Sequence, residues 1–450
     1  MESQHRRGGW SRLAAGNESF RFVMRQTAVF PVDDVIALKR RLLAWADTHP
    51  VALYLDSNGH HEANSSWECL VATGAAASIE CAAGGAFAAL REFWTARRDW
   101  CFGFLGYDLK NELENLGSRH PDPLGFPDLY FFQPDCVVGI RRGQLEIYSL
   151  TLPPTAVMEV LESLVPDSVS NRQQAPRFDA RMPREHYLDT VGHIRRHIVD
   201  GDIYEMNLCQ EFFARHAEID PQTVFERLNA LARAPFSAYL RCLDRYLLCA
   251  SPERFLKKTG DKLISQPIKG TRRRGQTPEE DAQIRADLFN SEKDRAENVM
   301  IVDLVRNDLA RHCRPGSVRV EELFGIYTFE TVHQMISTVS GILRPEASAF
   351  DALRDAFPMG SMTGAPKVMA MELIERYEHS RRGLYSGAVG YITPEGDFDF
   401  NVVIRSLLYN AADRYLSVQV GGAIVYDSVP EEEYEECLVK AAAMLRCSTL

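Results

Sequence analysis

Two pairs of acidic residues recur at helical spacing in the C-terminal half of the chain, Asp294 with Glu297 and Glu433 with Glu436. Residues three apart share one face of an α-helix, so each pair can aim two carboxylates at one point. Two such faces meeting would form an oxygen-rich cage. A hard divalent ion that takes oxygen ligands and keeps several waters suits such a cage, which is the chemistry of magnesium. The plain alternative is a pair of solvated charged faces, and the five acids within Glu431–Glu436 fit that view as well.

A second set of residues could hold an anion. Gly360-Ser361-Met362-Thr363-Gly364-Ala365-Pro366-Lys367 precedes an apolar-periodic stretch at 368–374. Small residues ahead of a helix let backbone N–H groups approach an anion, and the helix dipole adds to the attraction. The spacing is not that of the phosphate-binding GxxxxGK[ST] loop. Gly421-Gly422 offers further exposed backbone, and Arg405, inside a strand predicted over 402–408, is a candidate fork for a carboxylate. Ordinary turns and a rim arginine are the competing readings. Lys269 stands in Pro267-Ile268-Lys269-Gly270-Thr271, at the end of a predicted strand. A lysine leaving a semi-buried strand is expected to have a lowered pKa and to serve as nucleophile or base. The alternative is a solvated lysine beside the basic run Arg272–Arg274.

The elements that must position these groups can be read from periodicity. Leu188, Val191, Ile194 and Ile198 predict a helix over 186–200, closed by Gly201. Short apolar runs around Gly260-Asp261 predict a β-hairpin over 246–268. Residues 279–311 read as one long charged helix, and 385–426 as three strands broken at 394–397 and 410–413. The last helix begins at Ser428-Val429-Pro430-Glu431, with capping-box spacing. Upstream, 51–56 reads as a strand, 75–98 as partly helical, and 100–108 as a buried strand with close-packing glycines. A polar linker over 165–185 separates an N-terminal region, 1–170, from a catalytic region, 183–447. Hairpins mixed with helices, without βαβ alternation, predict an α+β fold of large antiparallel sheets flanked by helices. There is no internal repeat.

Bulk properties narrow the function. The chain has 450 residues, 45% hydrophobic and 25% charged, an ordinary globular balance. A net charge of −11 argues against non-specific nucleic-acid binding. Its ten cysteines form no CxxC pair, which disfavours zinc and haem attachment and predicts buried thiols in a reducing compartment. No stretch approaches the ~20 apolar residues of a membrane span, so a cytoplasmic protein is expected.

Several strings then occur in a fixed order: Ser251-Pro252-Glu253, Pro267–Thr271, Ala296–Asp308, Gly360–Lys367, Leu384–Gly390 and Asp427–Pro430. With them the chain resembles the chorismate-using enzymes, which include anthranilate synthase component I, isochorismate and salicylate synthases, and aminodeoxychorismate synthase component I. The resemblance is strong over about 185–447 and looser upstream. It implies one large anthranilate synthase component I-like α+β fold, chorismate as substrate and Mg2+ as cofactor. Glu297 and Glu436 match direct metal ligands, and Asp294 and Glu433 match the outer shell. Gly270, Thr271, Tyr385, Arg405 and Gly421, with Gly422 beside it, match substrate-holding positions. Ser361 stands where anthranilate synthases carry threonine, and Ala423 where a glycine is usual.

Three positions bear on the branch within this family. Isochorismate-forming members carry a water-activating lysine where this chain has Glu205. Anthranilate synthases have alanine where Lys269 stands, whereas aminodeoxychorismate synthases have lysine. Anthranilate synthases also use a histidine near Gln334; His333 is its neighbour here, and a one-residue shift would exchange them. The aminodeoxychorismate branch implies that Lys269 adds covalently to the ring while Glu253 protonates the departing hydroxyl. Ammonia then displaces the lysine to give 4-amino-4-deoxychorismate, a precursor of 4-aminobenzoate and folate. No Gly-x-Cys-x-Gly string is present, so ammonia is expected from a separate glutamine amidotransferase subunit, and conversion to 4-aminobenzoate from another enzyme. Anthranilate synthase component I and a catalytically silent regulatory subunit are the rival readings. Leu55-Asp56-Ser57 is similar to a strand beside which relatives often hold tryptophan.

Overall fold

A computed structural model of the chain describes residues 24–60, 64, 66–165 and 175–448. Part of the expected linker, 166–174, lies outside the described residues, as does the polar N-terminus. Two antiparallel sheets, of twelve and ten strands, carry the architecture, so the fold is α+β as the pattern predicts.

The N-terminal and C-terminal regions share both sheets. In the first, strand Val51–Asp56 pairs with Phe236–Cys242, bringing Tyr54 opposite Tyr239. In the second, Cys101–Leu105 pairs with Ala388–Ile392, bringing Gly103 opposite Gly390. A Cβ on Gly103 would lie 2.0 Å from the Tyr130 carbonyl oxygen, so this buried strand needs glycine for close approach.

The first sheet is buried on both faces, which explains its continuous apolar runs. Leu247 and Cys249 join a core with Phe102, Phe131 and Phe400 of the second sheet. Their neighbours Leu248 and Ala250 face the other way, onto Tyr187, Val191, Ile194 and Phe225 of the covering helices. Nine of the ten cysteines are buried and none is disulfide-bonded. Among the described residues no helix is long and apolar enough to cross a membrane.

Five local expectations are corrected. The segment 246–268 is not one hairpin. Strand Arg245–Ser251 ends in the first sheet, and Arg254–Thr259 with Lys262–Gln266 form the hairpin of the second. The chain crosses between sheets at Ser251-Pro252-Glu253. The long helix is two, Pro278–Asn290 and Glu292–Ala310, because Ser291 is extended and its hydroxyl accepts from the Asp294 N–H. The three strands of 385–426 are four, with a second crossing between Phe398–Asn401 and Ser406–Asn410. Arg405 lies in that crossing at φ 52° rather than inside a strand. The final helix, Pro430–Cys447, has no side-chain cap at its start. Ser428 instead donates to Glu433 Oε1 at 2.7 Å.

One buried ion pair ties these crossings together. Arg382 is bonded through Nε and Nη2 to Glu378, at 2.9 and 2.6 Å. Its remaining donors reach the carbonyls of Met362 at 2.6 Å and Asn207 at 3.0 Å. Glu378 in turn accepts from the Cys209 N–H at 2.8 Å, and the guanidinium lies 4.6 Å over the Tyr107 ring. Removing one partner of such a pair leaves an uncompensated buried charge. Arg382→Met is therefore expected to lower unfolding free energy by about 3–5 kcal/mol in a urea titration, and a loss under about 1 kcal/mol would contradict the anchoring role.

Candidate active site

Lys269 lies in the strand Ile268–Arg273, whose register against Val332–Ile342 is broken between Ile268 and Thr271. Irregularities of this kind re-aim side chains beside active sites. Gly270 takes φ 87°, and a Cβ there would sit 3.0 Å from the Asp294 side chain. Glycine is required by both the backbone and the helix Glu292–Ala310 packed against it.

The lysine is 8% exposed, and its Nζ lies 3.3 Å from Glu205 Oε1. Burial pulls the amine down, but the charges of Glu205, Glu297 and Glu253 outweigh it and leave it above its ordinary value. The expectation of a lowered pKa is thus overturned, because the strand end opens onto carboxylates rather than onto an apolar wall.

Glu253 sits at the crossing between the sheets, buried. It accepts from the Ser361 hydroxyl at 2.6 Å. Burial pushes its carboxyl up to about 7, against the pull of Ser361, Lys269 and the Ile268 N–H. A carboxyl so poised is able to donate a proton at neutral pH.

Ser361 lies in a 3-10 turn, Gly360–Met362, which Arg382 holds through the Met362 carbonyl. The rest of the Gly360–Lys367 segment does not form the expected anion nest. Gly364 and Ala365 pair with Met206 and Glu205 in the first sheet, and Lys367 is tied to Asp308 at 2.8 Å. The segment positions Ser361 and the strand carrying Glu205.

The residues expected to hold substrate are placed as follows. Arg405 is half-buried, and its guanidinium has no hydrogen-bond or ion-pair partner among the described residues. Burial lowers its pKa, opposed by Tyr385 and Glu436. An arginine so placed is a ready receptor for an external carboxylate. Tyr385 is buried, with its hydroxyl 3.7 Å from Cys209 Sγ. Thr271 lies directly opposite Gln334, so both side chains leave the same face. His333 is committed elsewhere, with its two ring nitrogens each 2.9 Å from Thr328 Oγ1 and Asp281 Oδ1. Gln334 therefore stands beside Thr271, and its Oε1 is buried without a hydrogen-bond partner.

Gly421 and Gly422 permit two close approaches. A Cβ on Gly421 would lie 2.4 Å from the Leu208 carbonyl oxygen, and one on Gly422 would lie 3.1 Å from Glu433 Oε2 and 3.5 Å from Glu436 Oε1. The final helix thus rests its carboxylates on this strand. Lys440 bridges the two elements, donating to the Gly421 carbonyl at 2.7 Å and pairing with Glu436. Sequence reasoning missed Lys440 and gave Glu205 no site role. The i, i+4 spacing from Glu436 was the available signal for Lys440.

The acidic residues fit magnesium. Burial pushes Glu297 up to about 7, with Glu205 and Asp294 adding to the rise and Lys269 opposing it. Burial also raises Glu433, with repulsion from Glu436 as a further cause. Asp294 is already held by Arg272 and Glu433 by Ser428, which suits an outer shell. Glu297, and Glu436 once released from Lys440, would be the direct ligands. Among the described residues no group of three or more acidic, histidine or cysteine side chains is arranged to hold a metal. Magnesium commonly takes one or two carboxylates and keeps its waters, so two glutamates suffice.

A groove of about 1010 Å³ lies apart from these site residues; Arg274, Asp281, Phe289, Phe324 and His333 line it. Leu55-Asp56-Ser57 borders a separate cavity of about 70 Å³ with Trp67, Arg254 and Tyr391.

A buried lysine among carboxylates, a protonatable glutamate and an unpaired arginine suit an enzyme acting on a small anion. The chain belongs to the chorismate binding enzyme family, whose profile matches residues 45–446. Over 345 residues it is 39% identical to aminodeoxychorismate synthase component 1 of Klebsiella aerogenes, covering 76% of each chain. It is 37% identical over 355 residues to anthranilate synthase component 1 of Thermus thermophilus, again covering 76% of each. The chloroplastic aminodeoxychorismate synthase of Arabidopsis thaliana is 38% identical over 77% of this chain, which spans 40% of that protein's length. The fold is shared with the menaquinone-specific isochorismate synthase MenF of Escherichia coli, with a TM-score of 0.74 at 17% identity, over 95% of this chain and 96% of that one.

Glu253 carries a stability cost whose sign follows from its shift. Its carboxyl titrates near 7 in the fold, against 4.5 ordinarily. Folding therefore takes up a proton between those values, and stability falls as pH rises through that window. Glu253→Gln is expected to melt higher than the parent chain above about pH 7, with no such gain near pH 4, while losing turnover; thermal melts across pH check this.

Proposed function

We propose that the chain is an aminodeoxychorismate synthase component I, converting chorismate and ammonia into 4-amino-4-deoxychorismate. The observation that carries this reading is the buried Lys269 amine facing the same chamber as the protonatable Glu253, with Gln334 rather than a histidine opposite Thr271.

Arg405 receives a substrate carboxylate, and Tyr385, Thr271, Gly270 and the Gly421-Gly422 backbone frame the ring. Glu297 and Glu436 would hold magnesium, with Asp294 and Glu433 outside them. When bound, the ion supplies positive charge that fixes a substrate carboxylate. Glu253 gives its proton to the departing hydroxyl, which leaves as water. The Lys269 amine forms a bond to the ring, and ammonia then displaces it at the substitution that yields the product. Ser361 keeps the Glu253 carboxyl aimed into the chamber.

Ammonia reaches the site from a separate glutamine amidotransferase subunit, a reading supported by the component 1 name of the Klebsiella relative. A cytoplasmic location agrees with a reaction on a soluble metabolite and with thiols that are unpaired. Anthranilate formation is the competing reading, supported by the comparable identity to the Thermus relative.

Incubation with chorismate, magnesium and an ammonium salt decides between them. The expected product is 4-amino-4-deoxychorismate without pyruvate; anthranilate fluorescence and pyruvate release would reject the proposal. Turnover should decline as pH rises past about 7, where Glu253 loses the proton it must donate. Lys269→Ala should abolish both turnover and the mass adduct formed with chorismate alone.

A further inference from the structure

An ammonium has no lone pair, so Lys269 cannot form a bond to the ring until it loses a proton. The fold does the opposite of freeing that proton, since it surrounds the amine with carboxylates. A nucleophilic role for Lys269 therefore demands an acceptor within reach of Nζ.

The charged groups facing Nζ are Glu205, Glu297 and Glu253. Glu253 must hold a proton to release the hydroxyl, and one of its oxygens is taken by Ser361. Glu297 belongs to the acidic pair of the two helices. Glu205 has no such engagement. It is 1% exposed, its Oε1 lies 3.3 Å from Nζ, and its Oε2 is buried without a hydrogen-bond partner. A buried carboxylate oxygen left unbonded is costly, and it calls for a functional account. Nor is the residue loosely held. Glu205 opens the strand Glu205–Ala214 and is fixed opposite Ala365, in the segment that also carries Ser361.

We propose that Glu205 is the proton acceptor that converts Lys269 from an ammonium into a nucleophilic amine; this rests on the covalent role of Lys269 given above. In the first half, an N–H bond of Lys269 breaks and an O–H bond forms on Glu205. The freed lone pair bonds to the ring, the ring C–O bond breaks, and the hydroxyl takes the Glu253 proton to leave as water. The adduct is a secondary ammonium, balanced by the new Glu253 carboxylate. In the second half, ammonia bonds to the ring and the lysine C–N electron pair returns to Nζ. The product ammonium returns one proton to Glu253 and leaves as an amine, and Glu205 hands its proton back to Lys269. No outside oxidant or reductant is needed.

The test is single-turnover mass spectrometry with chorismate and magnesium, without ammonia, across pH. The parent chain should acquire an adduct on Lys269. Glu205→Gln should form it about 100-fold more slowly, the lower range for loss of a general base, with chorismate affinity measured by equilibrium dialysis unchanged. Glu205→Asp keeps a carboxylate and should recover part of the rate. An equal or faster rate in Glu205→Gln, with its profile moved to lower pH, would mean that Glu205 merely holds the ammonium, and would overturn the inference. Loss of chorismate binding in both variants would assign Glu205 a structural role and overturn it too. A parent chain without any adduct rejects the covalent role of Lys269 itself, whereas an adduct that survives Glu205→Gln at full rate rejects only the Glu205 step.

Discussion

The buried pair of Arg382 and Glu378 is the constraint from which the site's geometry follows. A guanidinium taken out of water must have its donors satisfied or the desolvation cost is not recovered. Here the donors are shared among Glu378, the Met362 and Asn207 carbonyls and the Ser386 hydroxyl. Those partners come from the Ser361 turn, the strand bearing Glu205 and the turn after Tyr385. Tyr107 closes the same cluster from the N-terminal region. One charge thus fixes the relative positions of segments that carry Ser361, the lysine's counter-ion Glu205 and the buried Tyr385.

The chamber that results concentrates charge that the fold alone would not choose. Lys269, Glu205, Glu297 and Glu253 lie in mutual electrostatic range, all largely withdrawn from solvent. Burial favours neutral forms, and the two carboxyls raised to about 7 express that preference. A divalent ion and a dianionic substrate would redistribute this charge. Perturbed groups gathered in one cleft are the usual mark of a catalytic site, and here the perturbation has identifiable causes in each case. Stability is given up locally so that one carboxyl can hold a proton near neutrality.

Relatives named aminodeoxychorismate synthase and anthranilate synthase are 39% and 37% identical to this chain. The frame itself persists at 17% identity. Identity over the sheets therefore says little about product.

By itself, the sequence determined the fold class, the two acidic helix faces, the buried glycine strand and the family. Each of these is written in local spacing or in ordered strings that survive without knowledge of the partner strand. Gly421 and Gly422 read as a turn, whereas they lie inside the strand Tyr415–Ile424, paired with Cys209 and Leu208. Tertiary structure decided the rest. Periodicity could not see the crossings at Ser251–Glu253 and Val402–Arg405, because an apolar run reads alike whether it stays in one sheet or leaves for another. It could not separate Gln334 from His333, which only pairing with Thr271 and the Asp281 contact resolve. And it misjudged Lys269, whose proton affinity depends on carboxylates 16 to 64 residues away in sequence that folding brings around one amine.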